Sequence, residues 1–220
     1  EIPKEADVVL FAMSASFVKE HSTADFEAKG QVYVFPDPLF ASFCETEHPQ
    51  GILAVVRLLQ ASFHQVLEKE NGFYLLAEEL NDPGNLGTII RTAHACGVDG
   101  VFLSKGCVDL YSPKVLRSTM GSIFHVPVFT EVDLFETMQR LREKNVTILA
   151  AHLKGTEYPY TVDCKKGCAF LIGNEARGIK EQTADRCDQL IKIPMPGGAE
   201  SLNARVAAAV LLYEAVRQRI

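Results

Sequence analysis

The chain has no excess of positive charge. Its 22 lysines and arginines are set against 28 acidic residues, a formal net charge of −6 over 220 residues. That balance disfavours broad, non-specific adhesion to nucleic acid. No apolar stretch approaches the roughly 20 residues a membrane helix needs, and no secretory signal peptide is visible. Glu1 in place of Met predicts that the natural N-terminus lies upstream. The six cysteines, at 44, 96, 107, 164, 168 and 187, include no CxxC pair, and Cys164 and Cys168 lack a matching second pair. A zinc site is not expected, no metal is assigned, and reduced thiols in a cytoplasmic protein are the expectation. Two phosphate-binding signatures are also missing. The stretch Asn81 to Gly87 has glycines at 84 and 87 but lacks the third glycine of a dinucleotide fingerprint, and no Gly-Lys-Ser/Thr follows it. Nicotinamide and nucleoside-triphosphate chemistry therefore have little support.

The charge that is present is unevenly spread. Residues 1–60 hold four basic and nine acidic side chains, whereas residues 61–220 hold eighteen and nineteen. A near-neutral second part can still carry a local basic site. The first part reads as a small α/β unit: strands at 8–13, 31–35 and 52–58, a short helix at 14–21, and a helix opened by Asp37 as cap with Pro38 at its first position. Residues 59–70 read as a linker helix.

From Gly72 onward strands and helices alternate. Strands are expected at 73–77, 101–104, 146–151, 169–172 and 190–193, with residues 124–129 extended. Helices are expected up to Cys96, after Ser112-Pro113, after Thr130, and from Ser201 to the end. This alternation predicts an α/β fold with a mostly parallel sheet covered by helices on both faces. The last helix has one apolar seam at 202, 206, 209, 213 and 216, and is apolar on its other side at 207, 208, 210 and 211. An all-round apolar helix is covered all round. One side is expected on the sheet and the other on a second subunit.

Three loops follow apolar strands: Asn81 to Gly87, Gly173 to Gly178, and Ile193 to Gly198 with Glu200, Ser201, Leu202 and Asn203 just beyond. The strand ends of a parallel sheet lie on one side, so these loops can converge on one ligand. Each could instead be a plain glycine turn. Their shared Asn, Glu and Arg residues make coincidence the weaker reading.

The stretches NDPGNLGTIIRTAHACG, SPKVLRSTMGSIF, FLIGNEARGI and IPMPGGAESLNARVAAAVLLYE, in that order, resemble the motifs of the SpoU (TrmH-like) RNA ribose 2′-O-methyltransferases of the SPOUT superfamily. The likeness covers residues 72–220. Residues 1–58, with FASFCETEHPQGILAVV, more weakly resemble the latter part of an L30e-like substrate-binding domain. The division implied is 1–60, an N-terminally incomplete L30e-like RNA-binding domain, and 61–220, the methyltransferase domain.

The resemblance implies a deep C-terminal trefoil knot, S-adenosylmethionine as cofactor, a homodimer joined through the knot region and C-terminal helix, and RNA as substrate. The RNA is expected to be ribosomal, of 23S type, because of the front domain; a transfer-RNA substrate and a non-catalytic RNA-binding module are the alternatives, and a small-molecule α/β enzyme is a third. Gly173, Ile193 and Leu202 are implied as cofactor-pocket residues, with Met195, Ser201 and Asn174 as neighbours. Glycine at 173 fits a close backbone approach to a ligand. Arg91 is implied as the activating residue. Being a poor base, it suits a phosphate clamp better than proton abstraction. Asn85, Glu175, Ser201 and Asn203 match the family's other functional polar positions. Structural duties are also open to them: a turn bond for Asn85, a helix-start carboxylate for Glu175, an N-cap for Ser201, plain surface for Arg91. Lys114, Arg117, Ser118 and Arg177 are RNA-contact candidates, with a solvated helix face as the bland alternative. Arg205 departs from the small residue expected after the Ser-Leu-Asn run.

Overall fold

The computed structural model describes Pro3, residues 6–57 and residues 61–220, and the chain divides into two compact units, 1–60 and 61–220. The first contains β1 (Val8–Ser14), α1 (Ala15–Glu20), α2 (Ala24–Glu27), β2 (Gln31–Phe35), α3 (Asp37–Ser42) and β3 (Ile52–Val56). Its sheet has the order β2-β1-β3, with β1 parallel to β2 and antiparallel to β3. Phe11 and Met13 are buried against Phe17, Phe26 and Val32. Asp37 does not cap its own helix, as the sequence had implied. Its carboxylate instead accepts the Ser16 N–H at 2.9 Å and the Ser16 hydroxyl at 2.6 Å, which pins α3 to the start of α1.

The second unit runs α4 (Phe63–Leu67), β4 (Phe73–Ala77), α5 (Pro83–Ala95), β5 (Gly100–Ser104), α6 (Pro113–Thr119), β6 (Val128–Val132), α7 (Leu134–Glu143), β7 (Thr147–Ala151), β8 (Cys168–Ile172), α8 (Glu181–Ala184), β9 (Gln189–Ile191) and α9 (Ala204–Arg219). Its six strands lie in the order β6-β5-β4-β8-β7-β9, every neighbouring pair parallel. All residues of β4, β5 and β8 are buried, which explains their unbroken apolar sequences. One face packs Leu86, Ile89 and Ile90 of α5 and Leu211 and Leu212 of α9. The other packs Leu134, Met138 and Leu141 of α7. The chain winds outward from β4 to β6, then returns to build β8 beside β4. The order therefore reverses between β4 and β8, the kind of place where parallel sheets open a crevice at their strand ends.

Several local expectations are corrected. The stretch 81–87 is not a loop throughout, because α5 begins at Pro83. The Asp82 carboxylate accepts the Asn85 N–H at 2.6 Å, and Pro83 occupies the first turn where its missing N–H costs nothing. Gly87 is helical for a packing reason: a Cβ there would stand 2.4 Å from the Ser118 Cβ and 2.7 Å from the Val115 carbonyl oxygen of α6. Thr130 is a strand residue of β6, and α7 is capped by Asp133, whose carboxylate accepts the N–H groups of Phe135 and Glu136. Val132 accordingly belongs to the strand. Residues 122–124 form a 3-10 turn rather than extended chain. Ser112 precedes α6, but its hydroxyl caps nothing and is buried with no partner among the described residues. The expected linker helix falls partly on residues 58–60, outside the described residues; the helix found is Phe63–Leu67, capped by the Ser62 hydroxyl.

α9 buries one side and leaves the other exposed. Its buried face is Ala204, Ala208, Leu211, Leu212 and Ala215. Of the apolar seam, Val206 and Tyr213 are 44% and 54% exposed, with Leu202 before the helix and Val210 beside it also exposed, whereas Ala209 and Val216 are half-buried. The helix packs against α5 and β8. The helix end is locked by Arg219, which donates to the carbonyls of Cys164 (2.7 Å), Lys166 (2.7 Å) and Asn71 (3.1 Å) and lies over the Phe73 ring.

Gly87→Ala is expected to destabilise the second unit by about 1–3 kcal/mol, the usual cost of overpacking. The midpoint of urea unfolding, followed by circular dichroism, measures this; an unchanged midpoint would mean that α5 and α6 separate freely.

Candidate active site

Four loops meet at the carboxyl ends of the parallel strands. Those after β4 and β8 are joined by Glu175. Its carboxylate accepts the side-chain amide of Asn85 at 3.0 Å and the backbone N–H groups of Asp82 and Asn81, each at 3.1 Å. These donors belong to the start of α5, where unpaired N–H groups and the helix dipole favour an anion. Burial pushes the Glu175 carboxyl upward, but the hydrogen bonds from Asn85, Asn81 and Asp82 more than offset this and hold it below 4.5. Glu175 is thus ionised at neutral pH. Asn85 is buried, and its amide answers to Glu175 rather than to its own turn.

Next to it, Asn174 is buried and fully engaged. Its amide nitrogen donates to the Glu79 carbonyl at 2.7 Å, and its oxygen accepts the N–H groups of Ala176 and Arg177, each at 3.0 Å. The turn closes by reciprocal backbone bonds between Asn174 and Gly178, the latter at φ +68°. Gly173 is required by the fold of its own loop. A Cβ there would lie 2.3 Å from Gly178 C and Ile179 N, so the loop folds back onto its own start. Below the turn, buried Glu78 accepts the Thr183 hydroxyl at 2.6 Å and the Lys180 N–H at 2.8 Å. Glu79 pairs with Lys180 and, at 3.3 Å, with Arg177. The Lys180 ammonium, helped by Arg177, holds the Glu79 carboxyl below its ordinary range.

These loops enclose a cavity of about 460 Å³, within the usual range for a small-molecule site. Gly173, Asn174, Glu175, Ile193, Met195, Ser201 and Leu202 line it, as does Arg177. Six positions separately implied for cofactor contact thus share one space. Among the walls that sequence reasoning missed are His152, Leu153 and Lys154 after β7, together with Lys192. The loop after β7 has no glycine-rich run, so only its place after an apolar strand could have pointed to it. Ser201 does not cap α9. That role falls to Asn203, whose side-chain oxygen accepts the Arg205 N–H at 3.0 Å.

Other candidates stand apart. Arg91 is exposed on α5, and neither it nor Asn203 or Arg205 is a wall of the cavity. Lys114 and Arg117 are exposed on α6, and no ion pair involves them among the described residues. Ser118 is half-buried against Gly87, with its hydroxyl donating to the Lys114 carbonyl at 2.9 Å.

Residues 72–213 match the SpoU rRNA Methylase family. The chain belongs to that family. Among its relatives is the 23S rRNA (guanosine(2553)-2′-O)-methyltransferase RlmP of Bacillus subtilis, 35% identical over 190 residues that make up 86% of this chain and 74% of the relative. The 23S rRNA (guanosine-2′-O-)-methyltransferase RlmB of Bordetella pertussis is 38% identical over 178 residues, 79% of this chain and 72% of the relative. Among solved structures, the SpoU methyltransferase AviRb of Streptomyces viridochromogenes, in complex with the cofactor AdoMet, superposes with a TM-score of 0.88 at 28% identity, covering 98% of this chain and 84% of that one. As a SpoU family member the chain is an RNA methyltransferase that uses S-adenosylmethionine.

The walls suit this cofactor. The cavity joins apolar surface from Ile193, Met195 and Leu202 to polar groups on Ser201 and Glu200, as an amphipathic ligand requires.

Glu175→Gln is expected to loosen the junction between the β4 and β8 loops and to weaken S-adenosylhomocysteine binding, measured by calorimetry. Because the folded-state carboxyl is depressed, its contribution to stability is complete above 4.5 and fades as pH falls through the lower folded value. The variant should therefore lose less melting temperature than the native chain between pH 6 and the acid range; parallel curves would refute the assignment.

Proposed function

We propose that this chain methylates a ribose 2′-hydroxyl of ribosomal RNA, of 23S type, from S-adenosylmethionine. The observation that carries the reading is the convergence of the implied cofactor residues on one cavity at the carboxyl ends of β7, β8 and β9. The names of the relatives, both 23S rRNA methyltransferases, favour ribosomal over transfer RNA.

When bound, S-adenosylmethionine would supply an electrophilic methyl group to the ribose oxygen, with the C–S bond breaking onto sulfur to leave S-adenosylhomocysteine and the hydroxyl proton passing to solvent water. The chain's own part is positioning. Asn174 and Gly173 hold the turn that forms one cavity wall, and Ile193, Met195 and Leu202 cover the apolar part of the ligand. Ser201 offers a hydroxyl at the rim. Glu175 and Asn85 orient the loops, and Asn203 fixes the start of α9. Arg91 clamps the phosphate next to the target ribose. A guanidinium cannot accept the proton at ordinary pH, and its charge stabilises the developing alkoxide through that phosphate. Lys114, Arg117 and Arg177 meet the RNA backbone.

The exposed stripe Leu202, Val206, Val210 and Tyr213 supports a homodimer through α9. A C-terminal trefoil knot is supported by the way residues 152–157 lie against β9. Lys192 N–H donates to the Glu157 carbonyl at 2.8 Å, and a Cβ at Gly155 would meet Ile191 C at 2.7 Å. The parallel-antiparallel three-stranded unit at 1–60 is taken as the L30e-like RNA-binding part, and the cytoplasm as the place of action.

Radiolabelled methyl transfer to unmodified 23S-type RNA tests the function. Strong RNA binding with no transfer would turn the reading to a non-catalytic RNA-binding module, and transfer confined to tRNA would turn it to the alternative substrate. Arg91→Ala should lower transfer by about 100-fold or more, the scale for loss of a charge-stabilising group, with S-adenosylhomocysteine binding kept. Val210→Arg should shift the chain from dimer to monomer in sedimentation.

A further inference from the structure

Away from the donor cavity, α5 carries an aromatic group that the proposed function does not use. His94 and His125 stack, with ring centroids 4.6 Å apart and planes 12° apart, and both residues are exposed. Local structure holds the pair in place. After α6 the backbone passes through Met120 at φ +49° and Gly121 at φ +81°, and the 3-10 turn at 122–124 then packs against α5. Ser122 is buried there, with its hydroxyl 3.2 Å from His94 Nδ1. The Ser122 carbonyl accepts the N–H groups of His125 at 3.0 Å and of Val126 at 3.3 Å, and Val126 is buried. His94 is thus fixed at one ring edge and His125 by its backbone, while both stay open to solvent.

The place of the pair on α5 sets what it can meet. Gly87, Arg91 and His94 follow at i, i+4 and i+7, one stripe of the helix. Gly87 touches α6 at Val115 and Ser118, and His94 touches Ser122. Arg91, exposed, stands on the stripe between these two contacts. It lies three residues before His94, a spacing at which helical side chains are neighbours. Among the described residues no carboxylate pairs with Arg91, His94 or His125. An open ring stack next to an unpaired guanidinium suits single-stranded RNA: the cation meets a phosphate, and a base extends the stack. An acidic peptide would use the guanidinium and leave the rings unused.

We propose that His94 and His125 form a stacking platform for the nucleotide that adjoins the target on the side of the Arg91 phosphate. The inference rests on the methyltransferase reading with Arg91 as phosphate clamp. Neither histidine is a wall of the donor cavity, so the platform positions the RNA strand and takes no part in the transfer itself. Stacking tolerates any base, so it does not read the neighbour's identity.

The test compares the full chain and its variants on unmodified 23S-type RNA transcribed in vitro, by binding across a salt series at pH 8 and by steady-state transfer. His125→Ala should weaken RNA binding about 5-fold or more at every salt concentration, the scale of one lost base stack. KM for RNA should rise by the same factor with kcat near native. The salt slope should not change, because no phosphate contact is lost, whereas Arg91→Ala should lower it by about one. His125→Phe should keep RNA affinity, and His125→Leu, which fills similar space without an aromatic face, should not. S-adenosylhomocysteine affinity should stay within about twofold in all the His125 variants. The proposal falls if His125→Ala leaves RNA binding unchanged, or if it lowers the salt slope, which would make His125 a phosphate contact. It falls equally if His125→Leu binds RNA as well as His125→Phe, since the pair would then only pack the turn against α5. Failure of the underlying reading would look different, since the native chain itself would then transfer no methyl group.

Discussion

The site depends on one ionic junction. Glu175, after β8, accepts three hydrogen bonds from Asn81, Asp82 and Asn85, about ninety residues earlier in the chain. The junction sits where the strand order reverses between β4 and β8. At such a point adjacent strands send their chains to opposite faces, and the loops would otherwise part. A carboxylate at a helix start is the economical bridge, because the helix presents unpaired N–H groups that an anion satisfies. Asn174 reinforces it by holding the Glu79 carbonyl, and buried Glu78 ties the same segment to Thr183 and Lys180. Three consecutive chain segments are thereby held in one arrangement before any ligand arrives.

Close backbone approaches complete the frame. Gly173 lets the β8 loop fold against Gly178 and Ile179, and Gly155 lets the β7 loop lie on the backbone of β9. Each removes a side chain where two stretches of main chain meet. Preorganisation of this kind matters to a transfer reaction because the reacting atoms must be held within a narrow range of distance and direction. Glu175, Asn174 and the two glycines serve the chemistry by holding the walls, whatever they touch directly.

Much of the second unit was legible from residue pattern. The unbroken apolar strands at 73–77, 100–104 and 168–172 mark a parallel sheet buried on both faces, and they are found within a residue of where pattern put them. Gly173, Asn174, Ile193, Met195, Ser201 and Leu202 were legible as a set through their motif order, and they share one cavity. What misled was local. Gly84 and Gly87 looked like loop residues, although Asp82 and Pro83 start a helix there and Gly87 is needed for contact with α6. Apolar spacing in α9 marked two sides without telling which one meets the sheet; Ala204, Ala208, Leu211, Leu212 and Ala215 are the buried ones.

By itself the sequence determined the class of fold, the alternation of buried strands with helices, and the family, because these follow from periodicity and from residues fixed in order along the chain. Only the tertiary structure decided which residues face each other. That Glu175 answers to Asn85, that Arg91 lies outside the cavity wall, and that His152, Lys154 and Lys192 border it are facts of strand order and loop return. No local pattern encodes them, since they join segments tens of residues apart through a sheet whose order differs from the order of the chain.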